Sequence, residues 1–253
     1  MAAGLGKRMR SALPKVLHPV CGTPMLLHVL GAAQAVPSER LVVVLGHGHE
    51  QVAPILPVSV RIALQERQLG TGHALLCAAE HLVPGPCLVL CGDTPLVRAE
   101  TLKTLVNTHR RSGASATVLT MELEDPSGYG RVVKAADGSI SRIVEDRDAA
   151  PEELALREVN SGVYIFPIPL ALELLRQVRP ENAQGEIYLT DVVALLQVRG
   201  DRVEAYRVAD AGELRGVNSP EDLAEVERAM VSRRNLEKAD ADPAWVVPYE
   251  VES

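Results

Sequence analysis

The chain has 253 residues, 47% of them apolar but only 3% aromatic, so it can bury a sizeable, mainly aliphatic core in one large α/β domain or two small ones. A net charge of −7 argues against a general nucleic-acid binder. The four cysteines form no C-x-x-C pair, and neither a signal peptide nor a run of 18 apolar residues is seen, which points to a reduced, cytoplasmic protein with no membrane partner.

The chain opens on MAAGLGKRMRSALPKVLH. Ala2, Ala3 and Gly4 are small, and Gly4 and Gly6 leave backbone N–H groups free to approach a ligand. Lys7, Arg8, Arg10 and Lys15 then place four cations within nine residues of an otherwise acidic chain. A glycine turn followed by Arg and Lys suits a polyphosphate, which needs backbone donors and fixed positive charge. The spacing is neither the P-loop nor the dinucleotide fingerprint. A solvated basic terminus is the alternative.

Thr23-Pro24 reads as an N-cap and first helical residue, with a buried helix over 25–36. LVVVL (41–45) suggests a strand buried on both faces. The following Gly46-His47-Gly48-His49 lacks the ligands to complete a metal set. Residues 58–64 read as a further strand, and Gln65 at its end sits where open α/β sheets present groups to ligands. Its amide can read a pyrimidine edge. Gly70-Thr71-Gly72 turns into an apolar helix, with Thr71 as a plausible N-cap.

CLVLC (87–91) is the next buried strand, followed by Gly92-Asp93. Asp93 is a turn or cap residue, or a carboxylate holding a hard cation against phosphates. Helix is expected over 100–111, strand over 115–122, and a hairpin through Asp137-Gly138 with arms RVVKA and SISRIVE. Gly130, in the turn-rich DPSGYGR, offers a backbone N–H. EVNSGVYIF (158–166) is a strand, with Asn160 as turn former or polar contact. Helices at 170–178 and 221–234 flank a strand at 203–208. Glu186 and Asp191 read as capping or pairing residues, and Asn218 as a helix-entry residue.

A-A-G-x-G-x-R-M followed by L-P-K resembles the signature loop of the sugar-nucleotide pyrophosphorylases, the sugar-1-phosphate nucleotidyltransferases. L-Q-x-x-Q-L-G-T-G-H-A, G-Y-G-R, V-E-x-x-D and E-x-N-x-G narrow the resemblance to the uridylyltransferase domain of the bacterial N-acetylglucosamine-1-phosphate uridylyltransferases. It implies Ala2, Ala3, Gly4, Gln65, Gly70 and Thr71 as nucleotide contacts, with Arg8 and Lys15 as catalytic phosphate-holding cations. It implies Gly130, Glu145, Asn160 and Thr190 at the sugar, and Asp93 and Asn218 as Mg²⁺ ligands. The implied reaction is UTP + N-acetylglucosamine 1-phosphate → UDP-N-acetylglucosamine + pyrophosphate, by in-line attack, giving a cell-wall precursor. Another sugar, or a non-catalytic remnant, are the alternatives, and a homo-oligomer is left open.

Strands alternating with helices imply a Rossmann-like α/β fold: a mostly parallel mixed sheet flanked by helices, with an antiparallel hairpin insertion. The family's first central strand, ahead of A-A-G, is missing here, which should leave its two neighbours unpaired around a core gap. Cys91 stands where the family often carries a larger or hydroxylated side chain. The resemblance covers 1–235 as a nucleotidyltransferase domain. Residues 236–253 read as a loose tail without the hexapeptide repeat of an acetyltransferase β-helix domain.

Overall fold

The computed structural model describes residues 1–241. In chain order the elements are β1 (Pro19–Val20), β2 (Thr23–Pro24), α1 (Met25–Gln34), β3 (Val42–Leu45), α2 (His49–Val52), β4 (Arg61–Leu64), α3 (Thr71–Cys77), β5 (Gly85–Val89) and α4 (Ala99–Ser112). They continue with β6 (Ala116–Glu122), β7 (Arg131–Lys134), β8 (Ile140–Val144), α5 (Pro151–Leu154), β9 (Glu158–Ile168), α6 (Leu170–Leu175), α7 (Asp191–Val198), β10 (Val203–Arg207) and α8 (Pro220–Ala241). The expected mixed α/β architecture is present.

The main sheet is built on β9. It pairs antiparallel with β5, β6 and β7, while β10 runs parallel to β6, so β5, β6, β7 and β10 share one direction against it. β7 and β8 form the expected antiparallel hairpin. Alternate residues feed two cores. Val118, Tyr164 and Phe166 face α6 and α7, whereas Leu119, Val163 and Ile165 face α4. β3 and β4 form a separate parallel pair.

Met1 and Ala2 run between β3 and the chain that follows β5. Ala2 pairs in parallel with Leu45, and its N–H donates to Val44 O at 2.8 Å. The Met1 ammonium donates to Leu90 O at 2.6 Å, and Gly92 N–H donates to Met1 O at 2.8 Å. Beside this rung lies a cavity of about 310 Å³, with Leu41, Val42, Leu88, Leu90 and Ile165 in its wall. Burial pushes the Met1 amino group below its ordinary pKa.

Two expectations need correction, and one helix adds to them. Thr23-Pro24 is a strand rather than a helix start: it pairs with β1 across Cys21-Gly22, both at positive φ, and α1 begins only at Met25. Asp191 opens a helix, α7, whose Val192, Val193 and Leu196 are fully buried. α8 extends to Ala241, so the tail expected from 236 starts as helix, while 242–253 lie outside the described residues.

Candidate functional site

Two cavities open along one end of the sheet. The larger, about 400 Å³, lies under the N-terminal loop. The smaller, about 190 Å³, lies against the bulge of β9. Met1, Thr71, Cys91 and Asp93 belong to both walls, so the two cavities meet at Asp93.

The larger cavity is walled by the loop from Ala2 to Gly6 and by Lys7, Lys15, Gln65, Gly70 and Thr71. The loop folds back so that a Cβ on Gly6 would lie 2.8 Å from Lys15 Cβ. Met9 pins it in a small core with Val20, Met25, Val217, Val226 and Met230. That core also carries the loop before α8, so the Lys15 and Asn218 segments share one anchor.

Opposite, Gln65 is buried, and its amide nitrogen lies 3.0 Å from both Gly70 O and His73 Nδ1. Gly70, not Thr71, is the N-cap of α3, at φ 104°, where a Cβ would meet Ile187 O at 2.5 Å. Only glycine fits there. Thr71, the first helical residue, accepts from Leu189 N–H at 3.0 Å instead and ties down the chain before α7.

The smaller cavity is walled by Gly130, Glu145, Asn160, Gly162 and Tyr164. Between Leu119 and Thr120 the β6–β9 register shifts, and Ser161 and Gly162 bulge out. Asn160 holds this bulge: its Oδ1 accepts Gly162 N–H at 3.1 Å, and its Nδ2 donates to Tyr164 Oη at 2.6 Å. Glu145 points in with its carboxylate accepting from Thr190 Oγ1 at 3.0 Å.

Burial pushes the Glu145 pKa up. The Thr190 hydrogen bond lowers it, while Asp191, Asp148 and Glu186 add to the rise. Burial also lifts the Cys91 thiol to about 11 and Tyr164 well above the usual phenol range.

At the junction, Asp93 follows β5 and Asn218 precedes α8. Val217 N–H donates to Asp93 O at 2.9 Å and holds the two segments together. The Asn218 and Ser219 N–H groups both donate to Asp222 Oδ2, at 2.9 and 3.0 Å, and this caps α8. The Asn218 side chain is therefore free of capping duty. Its Oδ1 lies 3.2 Å from Lys15 Nζ, which also pairs with Asp93 Oδ2.

A carboxylate and an amide oxygen thus converge on one positive charge, which is the donor chemistry of a hard divalent cation. Among the described residues no group of three or more His, Cys, Asp or Glu is placed to hold a metal.

Of the residues expected at the site, Ala2, Ala3, Gly4, Lys15, Gln65, Gly70 and Thr71 line the larger cavity. Gly130, Glu145, Asn160 and Asn218 line the smaller one, and Asp93 lines both. Two differ. Thr190 stands behind Glu145 rather than in the wall. Arg8 is exposed on a 3₁₀ turn and lines neither cavity, while Lys7 beside it does. Sequence reasoning missed Tyr129 and Tyr164. Tyr129 Oη accepts from Gly216 N–H at 3.3 Å and joins the loop before β7 to the Asn218 segment. A tyrosine inside a glycine-rich turn, in so aromatic-poor a chain, was the available signal.

Residues 1–158 match the family described as MobA-like NTP transferase domain. The chain is 47% identical over 240 residues to the bifunctional protein GlmU of Shouchella clausii, covering 94% of this chain and 53% of that protein. It is 48% identical over 239 residues to the Pelotomaculum thermopropionicum GlmU, covering 94% and 52%. It is 47% identical over 250 residues to that of Alkaliphilus oremlandii, covering 99% and 55%. The chain therefore spans about half the length of the curated relatives it matches. A crystal structure of UDP-glucose pyrophosphorylase complexed with UDP-glucose has a similar fold, with a TM-score of 0.74, 20% identity, and coverage of 92% of this chain and 97% of that one.

Proposed function

The chain belongs to the MobA-like NTP transferase domain family, and from that premise we propose that it transfers uridylyl from UTP to N-acetylglucosamine 1-phosphate, releasing pyrophosphate. The observation that carries this is the meeting of two cavities at Asp93, one lined by loop backbone and lysine, the other by carboxylate, amide and glycine. A nucleoside triphosphate suits the first and a polar sugar the second.

In the larger cavity the N–H groups of residues 3–6 and the charges of Lys7 and Lys15 face the phosphates. Gln65 donates its amide hydrogens to its own loop and offers its oxygen to the N–H of a pyrimidine edge. In the smaller cavity Glu145 accepts from sugar hydroxyls, and the Gly130 backbone lets the sugar approach closely. A sugar lacking the matching groups would leave these polar atoms buried and unpaired, and selectivity follows from that.

The sugar phosphate oxygen attacks the α-phosphorus, forming the new P–O bond as the bond to the β-phosphate oxygen breaks, and pyrophosphate leaves in line. The side chains position the reactants and neutralise charge, and no protein nucleophile is needed. Asp93 and Asn218 would hold Mg²⁺, which when bound neutralises charge on the phosphate oxygens.

The test is pyrophosphate release from each nucleoside triphosphate with a panel of sugar 1-phosphates. The reading expects UTP with N-acetylglucosamine 1-phosphate to give the highest kcat/KM. A preference for glucose 1-phosphate would replace the sugar assignment, and no turnover with any pair would overturn the reading.

A further inference from the structure

Lys15 occupies the position where a bound cation would be held. Its ammonium pairs with Asp93 Oδ2 and lies 3.2 Å from Asn218 Oδ1, the two oxygens proposed above to hold a divalent cation. Two oxygens brought together from separate segments, in a site mostly closed to water, need a positive charge between them. A lysine supplies one as a compact charge on a flexible four-carbon stem. The same ammonium cannot stay once a divalent cation takes those oxygens, because two like charges a few ångströms apart repel strongly in a partly buried site.

The geometry allows it to leave. The base of the Lys15 side chain packs on Gly6, so movement is confined to the outer stem, and the side chain lines the 400 Å³ cavity assigned to the triphosphate.

We propose that Lys15 is a placeholder. In the free protein its ammonium sits between Asp93 and Asn218. It gives up that place to the divalent cation by turning into the larger cavity, where the nucleotide phosphates receive it. The inference rests on the metal reading above. It makes cation and nucleotide binding mutually reinforcing, because each supplies what the other displaces. A cation arriving alone must expel the ammonium without that compensation.

The test is Mn²⁺ binding to the full chain without nucleotide, followed by electron paramagnetic resonance. Lys15→Met keeps the stem and removes the charge. It is expected to bind Mn²⁺ about tenfold tighter than the native chain, within the usual range of site-to-site coupling, while Asp93→Asn loses the ion. If Lys15→Met binds Mn²⁺ no tighter while Asp93→Asn still abolishes binding, the placeholder is refuted and the metal reading survives. If Asp93→Asn binds Mn²⁺ as the native chain does, the metal reading fails and takes the placeholder with it.

A second measurement needs no variant. Nitrogen-15 spectra of the lysine ammonium groups should show the Lys15 signal protected in the free protein. Saturating Mg²⁺ should shift it, and UTP should shift it again. A Lys15 signal unmoved by saturating Mg²⁺ overturns the proposal.

Discussion

Gly162→Ala probes the wall of the smaller cavity, and its cost has two separable parts. Gly162 sits in the β9 bulge at φ 79°, and a Cβ there would lie 2.7 Å from Cys91 Sγ. The left-handed backbone costs an L-residue about 1–2 kcal/mol. Overpacking against the sulfur adds about 1–3 kcal/mol, with the lower end reached if the thiol yields about its single torsion. The sum is about 2–5 kcal/mol, a fall in Tm of about 4–20 °C for a chain of this size.

Cys91→Ala removes the sulfur and leaves the backbone strain in place. In that background Gly162→Ala should cost only the first part, giving a coupling of about 1–3 kcal/mol. Urea denaturation of the four proteins of the cycle measures it. A coupling under about 0.5 kcal/mol would mean that the contact does not set the shape of the bulge, and the close-approach argument would be wrong.

Three further predictions follow from the same structure. Arg131 is buried, 3.1 Å from the half-exposed Asp146 and donating to the carbonyls of Tyr129 and Leu154; Arg131→Met strands the carbonyls and should cost about 1–3 kcal/mol in a denaturation series. Glu145 has a folded-state pKa raised by burial, so the folded chain binds more protons than the unfolded one and loses stability as pH rises from about 4.5 through the raised value. Glu145→Gln should flatten that limb of the urea midpoint against pH and raise stability near pH 7, while raising KM for the sugar phosphate; an unchanged pH profile would refute it. Lys7→Ala should raise KM for the nucleotide more than Arg8→Ala, because only Lys7 lines the cavity in this structure; steady-state kinetics giving the reverse order would show that the loop rearranges to bring Arg8 in.

Much of the architecture is readable from the residues. LVVVL, CLVLC and SATVLTME are short, apolar and bounded by breakers, and they form β3, β5 and β6 within a residue or two. Asp137-Gly138 marks the β7–β8 turn: Gly138 takes the positive φ, 84°, and Asp137 Oδ1 accepts Ser139 N–H at 3.0 Å. The misreadings fall where local signals compete. Thr-Pro looks like a helix start, yet Cys21-Gly22 turns the chain into a hairpin first. Thr71 looks like a cap, but the strained position belongs to Gly70, and the hydroxyl is drawn to Leu189 across the fold.

By itself the sequence determined which residue types are available: a glycine-rich basic loop, a carboxylate after a strand, an amide before a helix, and polar residues around a hairpin. Those types suffice to expect a phosphate-handling site, because such chemistry depends on donors and charge at the ends of elements. Only the tertiary structure decided which of them meet. It placed Lys15 between Asp93 and Asn218, put Lys7 but not Arg8 in the wall of the larger cavity, and set Thr190 behind Glu145. None of these follows from spacing, since each depends on how separate segments share one core: Met9, Val217 and α8 pack together, and that packing brings the N-terminal loop and Asn218 to the same point.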